Sequence, residues 1–307
     1  YTYSYPKTWK TYDRAGGAGG GSINVTVVNS LVLNGSSTAL LADGLAGQDG
    51  IRADTNQEAF AGGGGGAGGS VYVSADSFEG SGRVRAAGGA GGSGGYTHLT
   101  STSSSHLQFG GGGGGGGRIA IHCTTCASLA DAKFGTGGAR LARGLSLDAR
   151  GGAAGSTKRV VPTEGPRRGA PGPIFGDTAG VRVVVFANHY GGATATTTRE
   201  AAAHLLLDGG SLTLDHLLLH SCVAELSRSV STTFIQSSAS SVTVKQSLDV
   251  AGSIDLQSGA WILHEPIKAN VLSLGATAAL YAKDDATALD VRTVRFTHAG
   301  LAAARTI

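Results

Sequence analysis

The chain has 307 residues, with 24 lysines and arginines against 21 acidic residues and a net charge of +3 at neutral pH. Hydrophobic residues make up 41% of it, enough for a sizeable core, yet 52 residues are glycine and only 6% are aromatic, which argues against an ordinary layered globular domain. The basic residues are scattered apart from one short cluster, Lys158, Arg159, Arg167 and Arg168. The charge pattern therefore lacks the continuous basic stripe of a nucleic-acid-binding protein.

The N-terminal segment, residues 1–14, is predicted to be an aromatic arm. It holds four of the eight tyrosines and one of the two tryptophans: Tyr1, Tyr3, Tyr5, Trp9 and Tyr12. The first three alternate as in a strand, before Pro6 interrupts it. We predict that this arm assembles copies of the chain by strand addition to a neighbour's open edge. The alternative is that it folds back and caps its own first turn.

Residues 15–156 contain a repeat of short apolar segments, each of which follows a glycine run. The segments begin at Ser22, Ser70 and Arg118, so the two intervals are equal and define a 48-residue period. Their apolar residues alternate, as in strands with one buried face. A fixed period of this kind is typical of a solenoid. We interpret each unit as two turns of about 24 residues, with second strands at Thr38–Leu41 and Arg83–Ala87.

The glycine runs at 62–66, 88–95 and 110–117 have the composition of flexible linkers. Their recurrence in one frame before each strand favours another interpretation. Without Cβ atoms, such runs can pass close to one another in extended, polyproline-II-like conformations. We expect them to stack along one edge of the solenoid.

The cysteines are Cys123, Cys126 and Cys222, an odd number. Cys123 and Cys126 form a C-x-x-C pair, but no second pair or histidine pair follows at zinc-ligand spacing, so we predict no metal site. We expect a structural disulfide, either local or linked to Cys222.

A segment rich in proline, glycine and arginine, residues 157–180, is predicted to be an exposed loop. Residues 181–307 contain few glycines and are predicted to continue the solenoid, with a short helix at Thr198–Leu207. The strand candidates in this part are Val181–Phe186, Ser211–Leu219, Ser241–Val244, Ser253–Leu256, Ala260–Leu263, Val271–Leu274 and Val291–Phe296.

The segments GGGGGAGGSVYVSADSFEGSGRVRAAGGAGGSGG and GGGGGGGGRIAIHC resemble the glycine-rich repeats of surface and adhesin-like proteins of protists and bacteria. The resemblance covers about residues 15–155. It implies a right-handed parallel β-helix and an extracellular, often glycosylated, structural or adhesive role.

Several features fit secretion. The sequence lacks methionine and begins at Tyr1, so we expect a processed chain or a piece of a longer precursor, with a removed signal peptide as the simplest account. Sequons at Asn24 and Asn34 are candidate N-glycosylation sites. No apolar run approaches the roughly 18 to 20 residues that span a bilayer, so we predict no membrane insertion by this segment.

The alternative function is a carbohydrate-active enzyme, a polysaccharide lyase or hydrolase, because β-helices host many of them. Such an enzyme needs paired carboxylates or a calcium site with a nearby base. The candidate residues form two sets: Asp208, Asp215, His216 and His220, and Asp284, Asp285, Asp290, Arg292 and Arg295. Turn and surface roles explain both sets more simply.

We therefore predict a non-enzymatic, all-β chain: a right-handed parallel β-helix (β-solenoid) with glycine-rich loops and no cofactor. Its expected role is an extracellular building block of a surface filament, appendage or cell coat. Its expected partners are copies of itself and covalent glycans.

Overall fold

The computed structural model describes residues 14–50, 61–94, 110–126, 133–135, 138–141, 144–156, 168–178, 180–187, 203–204, 211–283, 289–297 and 305–306. Within these ranges the chain is all-β and contains no helix, which confirms the predicted class. Its strands form one large, mostly parallel sheet and two small sheets.

The strands of the glycine-rich half are short. Their bounds are β1 Ser22–Thr26, β2 Ser30–Leu33, β3 Ala39–Leu41, β4 Ser70–Ala75, β5 Ser77–Gly80, β6 Arg83–Arg85, β7 Arg118–Cys123, β8 Lys133–Gly135, β9 Gly138–Arg140, β10 Ser146–Asp148 and β11 Ile174–Thr178. The large sheet begins with β1, β4, β7 and β11 in parallel.

The second half contains the longest strands. Their bounds are β12 Val181–Ala187, β13 Ala203–His204, β14 Leu212–Thr213, β15 His216–His220, β16 Val223–Leu226, β17 Val230–Ser238, β18 Ser240–Val244, β19 Leu248–Leu263, β20 Ile267–Ala282, β21 Leu289–Thr297 and β22 Arg305–Thr306. The short strand β13 falls inside the segment predicted to be helical, so that prediction is wrong at these two residues.

The 48-residue repeat is confirmed by the pairing. Val71 of β4 lies opposite Ile23 of β1 and Ile119 of β7, so equivalent residues of successive repeat units are neighbours. The division of each unit into two equal turns is wrong. The intermediate strands β3 and β6 pair with each other, not with β1 or β4, because the chain passes through several sheets before it returns to the first.

The glycine runs form two ordered layers. The first layer comprises residues 15–21, 62–69, 110–117 and 168–172, and the second comprises 42–50, 86–94 and 149–156. Within the first layer, a backbone hydrogen bond joins neighbouring segments at every third residue: Gly17 to Gly64, Gly20 to Ala67, Gly65 to Gly112 and Gly68 to Gly115, donor first. This period matches the three residues per turn of a polyproline II helix.

The two layers also hydrogen-bond to each other at every third residue. Here the residue number of the acceptor falls as that of the donor rises, so the facing segments run in opposite directions: Gly63 donates to Gln48, Gly66 to Leu45 and Gly69 to Ala42. In the segment 62–69, two of every three N–H groups are thus paired, which offsets the entropy lost by ordering glycine. We call the two layers together the glycine lattice. The predicted stacking is confirmed, although the runs occupy two layers rather than one edge.

Close approach of backbones explains why these segments are glycine. A Cβ at Gly65 would overlap the carbonyl oxygen of Gly89 across the layers. At Gly64, which points outward, a Cβ would lie 3.8 Å from its nearest neighbour, an ordinary contact. Ala18, Ala67 and Ala90, which interrupt the glycine runs, occur at such exposed positions.

The segment predicted to be a loop, residues 157–180, is structured in its second part. Gly169 and Gly172 donate to the second glycine layer, and β11 extends the large sheet beside β7. Pro171 corresponds in position to Gly68 and Gly116, whose N–H groups donate to the next segment of the layer. Within the described residues the layer has no segment beyond 168–172, so a proline, which has no N–H to donate, fits there. The proline-rich residues 157–167 lie outside the described residues.

A tight hairpin between β11 and β12 reverses the direction of the sheet. Beyond it, β12, β15, β17, β19, β20 and β21 run parallel to one another. Leu217 lies opposite Ile235, and Ile254 lies opposite Leu272, so the chain returns to the sheet after far fewer residues than in the first half. The strands β16 and β18 form a second row that pairs with the end of β19.

The hydrophobic core changes sides at this hairpin. In β12, Val183 and Val185 belong to the core of the glycine-rich half, whereas Val184 and Phe186 belong to the core of the second half. Because neighbouring side chains of a strand face opposite ways, the two cores lie on opposite faces of one continuous sheet. The outward face of the first half therefore borders the core of the second half.

Candidate functional site

The outward face of β1, β4, β7 and β11 carries two rows of side chains. Parallel register brings equivalent positions of successive strands side by side, so each row contains one residue from each strand. The first row is Asn24, Tyr72, Ala120 and Phe175, and the second row is Thr26, Ser74, His122 and Asp177.

Three rings of these rows lie next to one another. The ring centroid of His122 is 5.3 Å from that of Tyr72 and 5.5 Å from that of Phe175. The rings are tilted by 40° and 51°, within the geometries that aromatic pairs favour. Tyr72 is 39% exposed, and the His122 side chain is 37% exposed. Phe175 is half-buried against the core of the second half. We call these three side chains the aromatic row.

A groove of about 540 Å³ adjoins the aromatic row where β4 and β7 end. His122 contributes to its wall, and its Nδ1 lies 3.9 Å from Oδ2 of Asp177. The other lining residues are Val27, Val28, Ser74, Ala75, Asp76, Cys123, Thr124 and Gly180. The groove therefore combines apolar surface, hydroxyl groups and two carboxylates on a rigid sheet.

A second polar cluster lies on the β6–β10 sheet. Asp148 is 3% exposed and accepts two hydrogen bonds of 2.7 Å from the Arg150 guanidinium. Arg85 bridges Asp148 and Asp43 at 4.0 and 3.0 Å. The same Asp43 accepts a hydrogen bond from the backbone N–H of Ala87 in the glycine lattice. The hydrogen bonds and ion pairs of this cluster thus join the sheet to the glycine lattice. This is a structural role.

The cysteines occupy two separate places. Cys123 and Cys126 form a disulfide, with their Cα atoms 6.0 Å apart, at the end of β7. Cys222 is fully buried in the second half, and its Sγ lies 3.7 Å from the Ser240 hydroxyl. Of the alternatives left open by the sequence, the structure has the local disulfide.

Both sequon asparagines are on the surface. Asn24 is exposed on β1 between the half-buried Ile23 and Val25, as the alternation predicts. Asn34 follows β2 directly and is exposed. Glycosylation itself stays a prediction. The assembly residues Tyr1, Tyr3, Tyr5, Trp9 and Tyr12 lie outside the described residues.

The residues weighed for catalysis are not brought into one described site. Asp215 accepts a hydrogen bond of 2.8 Å from the backbone of Arg182, so its carboxylate anchors a turn. His216 packs edge-on against Phe234, and His220 Nδ1 lies 2.6 Å from the Ser238 hydroxyl. The β21 candidates Asp290, Arg292 and Arg295 are exposed. The remaining candidates, Asp208, Asp284 and Asp285, lie outside the described ranges.

Comparison with known proteins gives no relative. No protein family, curated protein or solved structure matches this chain. The resemblance to glycine-rich surface proteins therefore stays an expectation from the sequence. Among the described residues, no group of three or more His, Cys, Asp or Glu side chains has the arrangement of a metal site, and no helix there is long and apolar enough to cross a bilayer.

Sequence reasoning missed the aromatic row. The 48-residue frame aligns Asn24, Tyr72 and Ala120, so part of the first row was available from the sequence. Phe175 was not, because its strand pairs with β7 outside that frame and lies in the segment predicted to be a loop.

Proposed function

We propose that this chain is an extracellular structural protein, a building block of a surface filament, appendage or cell coat, with an adhesive surface. The observation that carries the proposal is the glycine lattice. Backbone hydrogen bonds at every third residue tie together segments far apart in the sequence. Ordering so much glycine is costly and produces stiffness. Such stiffness suits a structural component that carries mechanical load.

We further propose that the strands wind as a right-handed parallel β-helix. Parallel neighbours require a crossover connection, and crossovers in one sheet are nearly always right-handed. The regular offsets support repeated winding. Paired residues are separated by the same interval from β1 to β4 and from β4 to β7, and by a shorter, nearly constant interval between β15, β17, β19 and β20.

Self-association is supported by the open edges of two strands of the large sheet, β1 and β21. Among the described strands, β1 pairs only with β4, and β21 pairs only with β20. Apolar side chains are exposed beside both edges: Val28, shortly after β1, is 84% exposed, and Phe296 of β21 is 59% exposed. Open edges with apolar neighbours are templates for pairing with another chain. The proposed partner is a second copy of this chain, with residues 1–14 as the connecting arm.

Secretion is supported by the disulfide and by the two sequon asparagines. The Cys123–Cys126 disulfide suits an oxidising compartment, and the exposed Asn24 and Asn34 are accessible to glycosylation. Membrane insertion by this segment and a catalytic role are not part of the proposal.

Electron microscopy of the purified secreted chain tests this function. We expect filaments or ordered sheets whose abundance rises with protein concentration. Deletion of residues 1–12 is expected to leave the far-ultraviolet circular dichroism unchanged and to abolish these assemblies. Isolated particles at every concentration in the full chain would contradict the structural role, whereas assemblies that survive the deletion would contradict the role of the arm.

A further inference from the structure

We propose that the aromatic row and its adjoining groove bind an uncharged polysaccharide. This inference deepens the adhesive part of the proposed function and rests on it for its biological setting. It assigns the adhesive surface to the outward face of β1, β4, β7 and β11 and names the chemical class of its ligand.

The shape and spacing of the rings suit a sugar ligand. A pyranose ring has a flat face of C–H groups that packs against an aromatic ring. Tyr72 and His122 expose ring surface to solvent, and Phe175 closes the row on one side. The centroid spacings of 5.3 and 5.5 Å are close to the length of one sugar unit in an extended chain. Successive units can therefore lie over successive side chains of the row.

The polar groups beside the rings also suit a sugar ligand. Thr26 and Ser74 lie in the second row, and Asp177 ends it. Hydroxyl and carboxylate groups together supply the donors and acceptors that sugar hydroxyls require. These side chains are short and stand on hydrogen-bonded strands, so little conformational entropy is lost when a ligand binds.

The charge of the groove favours an uncharged ligand. The described residues that line the groove include two carboxylates, Asp76 and Asp177, and no lysine or arginine. Carboxylates repel sulfated or uronic-acid saccharides, and no lining cation compensates for that repulsion. The geometry therefore favours an uncharged saccharide over an anionic one.

Affinity electrophoresis in native gels tests the proposal. The probes are four soluble uncharged polysaccharides (laminarin, yeast mannan, galactomannan and arabinoxylan), with alginate as the anionic control. We expect at least one uncharged polysaccharide to retard the full chain, and alginate to leave its mobility unchanged. Failure of all four uncharged probes to retard the chain, or retardation by alginate alone, would overturn the proposal.

Variants locate the site. Tyr72→Ala is expected to weaken binding about tenfold because it removes the most exposed ring of the row. Tyr72→Phe keeps the ring and is expected to bind like the wild type. Tyr281→Ala, which removes a half-buried tyrosine from β20, is the matched control and should not change binding. Equal binding by Tyr72→Ala and the wild type would overturn the assignment of the site.

The same samples separate this proposal from the proposed structural function. Electron microscopy is performed on each variant. Retardation by a polysaccharide in a chain that never assembles supports the binding site and contradicts only the filament role. Assemblies that no uncharged polysaccharide retards support the filament role and overturn the binding site.

Discussion

Replacing Gly114 with alanine tests the glycine lattice most sharply, because its neighbour Gly115 provides a matched control. A Cβ at Gly114 would overlap the carbonyl oxygen of Gly66 and lie 2.9 Å from that of Gly65. A Cβ at Gly115 would meet no heavy atom within 4 Å. The two variants differ by one position in the same run and add the same methyl group.

The expected effects have opposite signs. At Gly114 the added methyl displaces the backbone that bonds Gly114 to Gly89, Gly152 to Gly114 and Gly89 to Gly66. Weakening three bonds worth about 0.5 to 1.5 kcal/mol each lowers the free energy of unfolding by about 2 to 4 kcal/mol. At Gly115 alanine only restricts the unfolded chain, which raises the free energy of unfolding by about 0.4 to 1 kcal/mol.

Thermal unfolding followed by circular dichroism measures this difference. We expect Gly114→Ala to lower the melting temperature by roughly 4 to 10 °C and Gly115→Ala to leave it unchanged or raise it by about 2 °C. Gly65→Ala and Gly64→Ala form a second pair with the same contrast. Equal shifts within either pair would refute the lattice, since glycine in a flexible linker does not distinguish adjacent positions.

Three further predictions concern packing and modification. Asp148→Asn is expected to lower the free energy of unfolding by about 3 kcal/mol in a denaturation assay, because it removes the buried carboxylate that pairs with two arginines. The control Asp249→Asn, at an exposed position, should change it by less than about 0.5 kcal/mol. Trp261→Phe is expected to cost about 2 to 3 kcal/mol, because it leaves a void and removes the hydrogen bond of 3.2 Å to the buried Ser237 hydroxyl. Peptide mass spectrometry of the natively secreted chain should find N-linked glycan on Asn24 and Asn34, and two unmodified asparagines would remove the sequon argument for secretion.

The glycine-rich half could be predicted well because its pattern is explicit. Alternating Ile23 and Val25 recur one repeat unit later as Val71 and Val73, and identical frames pair directly in a parallel sheet. The number of turns in each unit could not be predicted from the period. It depends on which segments pair, and the strand candidates alone do not determine that.

The second half could be predicted less well because its central strand is polar. β17 has the sequence VSTTFIQSS, lies between β15 and β19, and was not predicted. Its buried Thr232 and Ser237 are satisfied by hydrogen bonds, to the Asp215 carbonyl and from Trp261. A hydrophobic pattern cannot detect a strand whose interior side chains are hydroxyls paired through tertiary contacts. The aromatic row could not be predicted for a related reason. Its residues are brought together by the register between strands, which the spacing in the sequence does not determine alone.

Amide hydrogen exchange of the glycine runs, measured by NMR, tests the central claim most directly. In the run at 64–69, the N–H groups of Gly65, Gly66, Gly68 and Gly69 donate within the lattice, whereas those of Gly64 and Ala67 donate to no backbone carbonyl of the described residues. We expect slow exchange at the first four amides and fast exchange at the other two, so that two of every three amides are protected. Uniformly fast exchange along the run, as in a flexible linker, would contradict it.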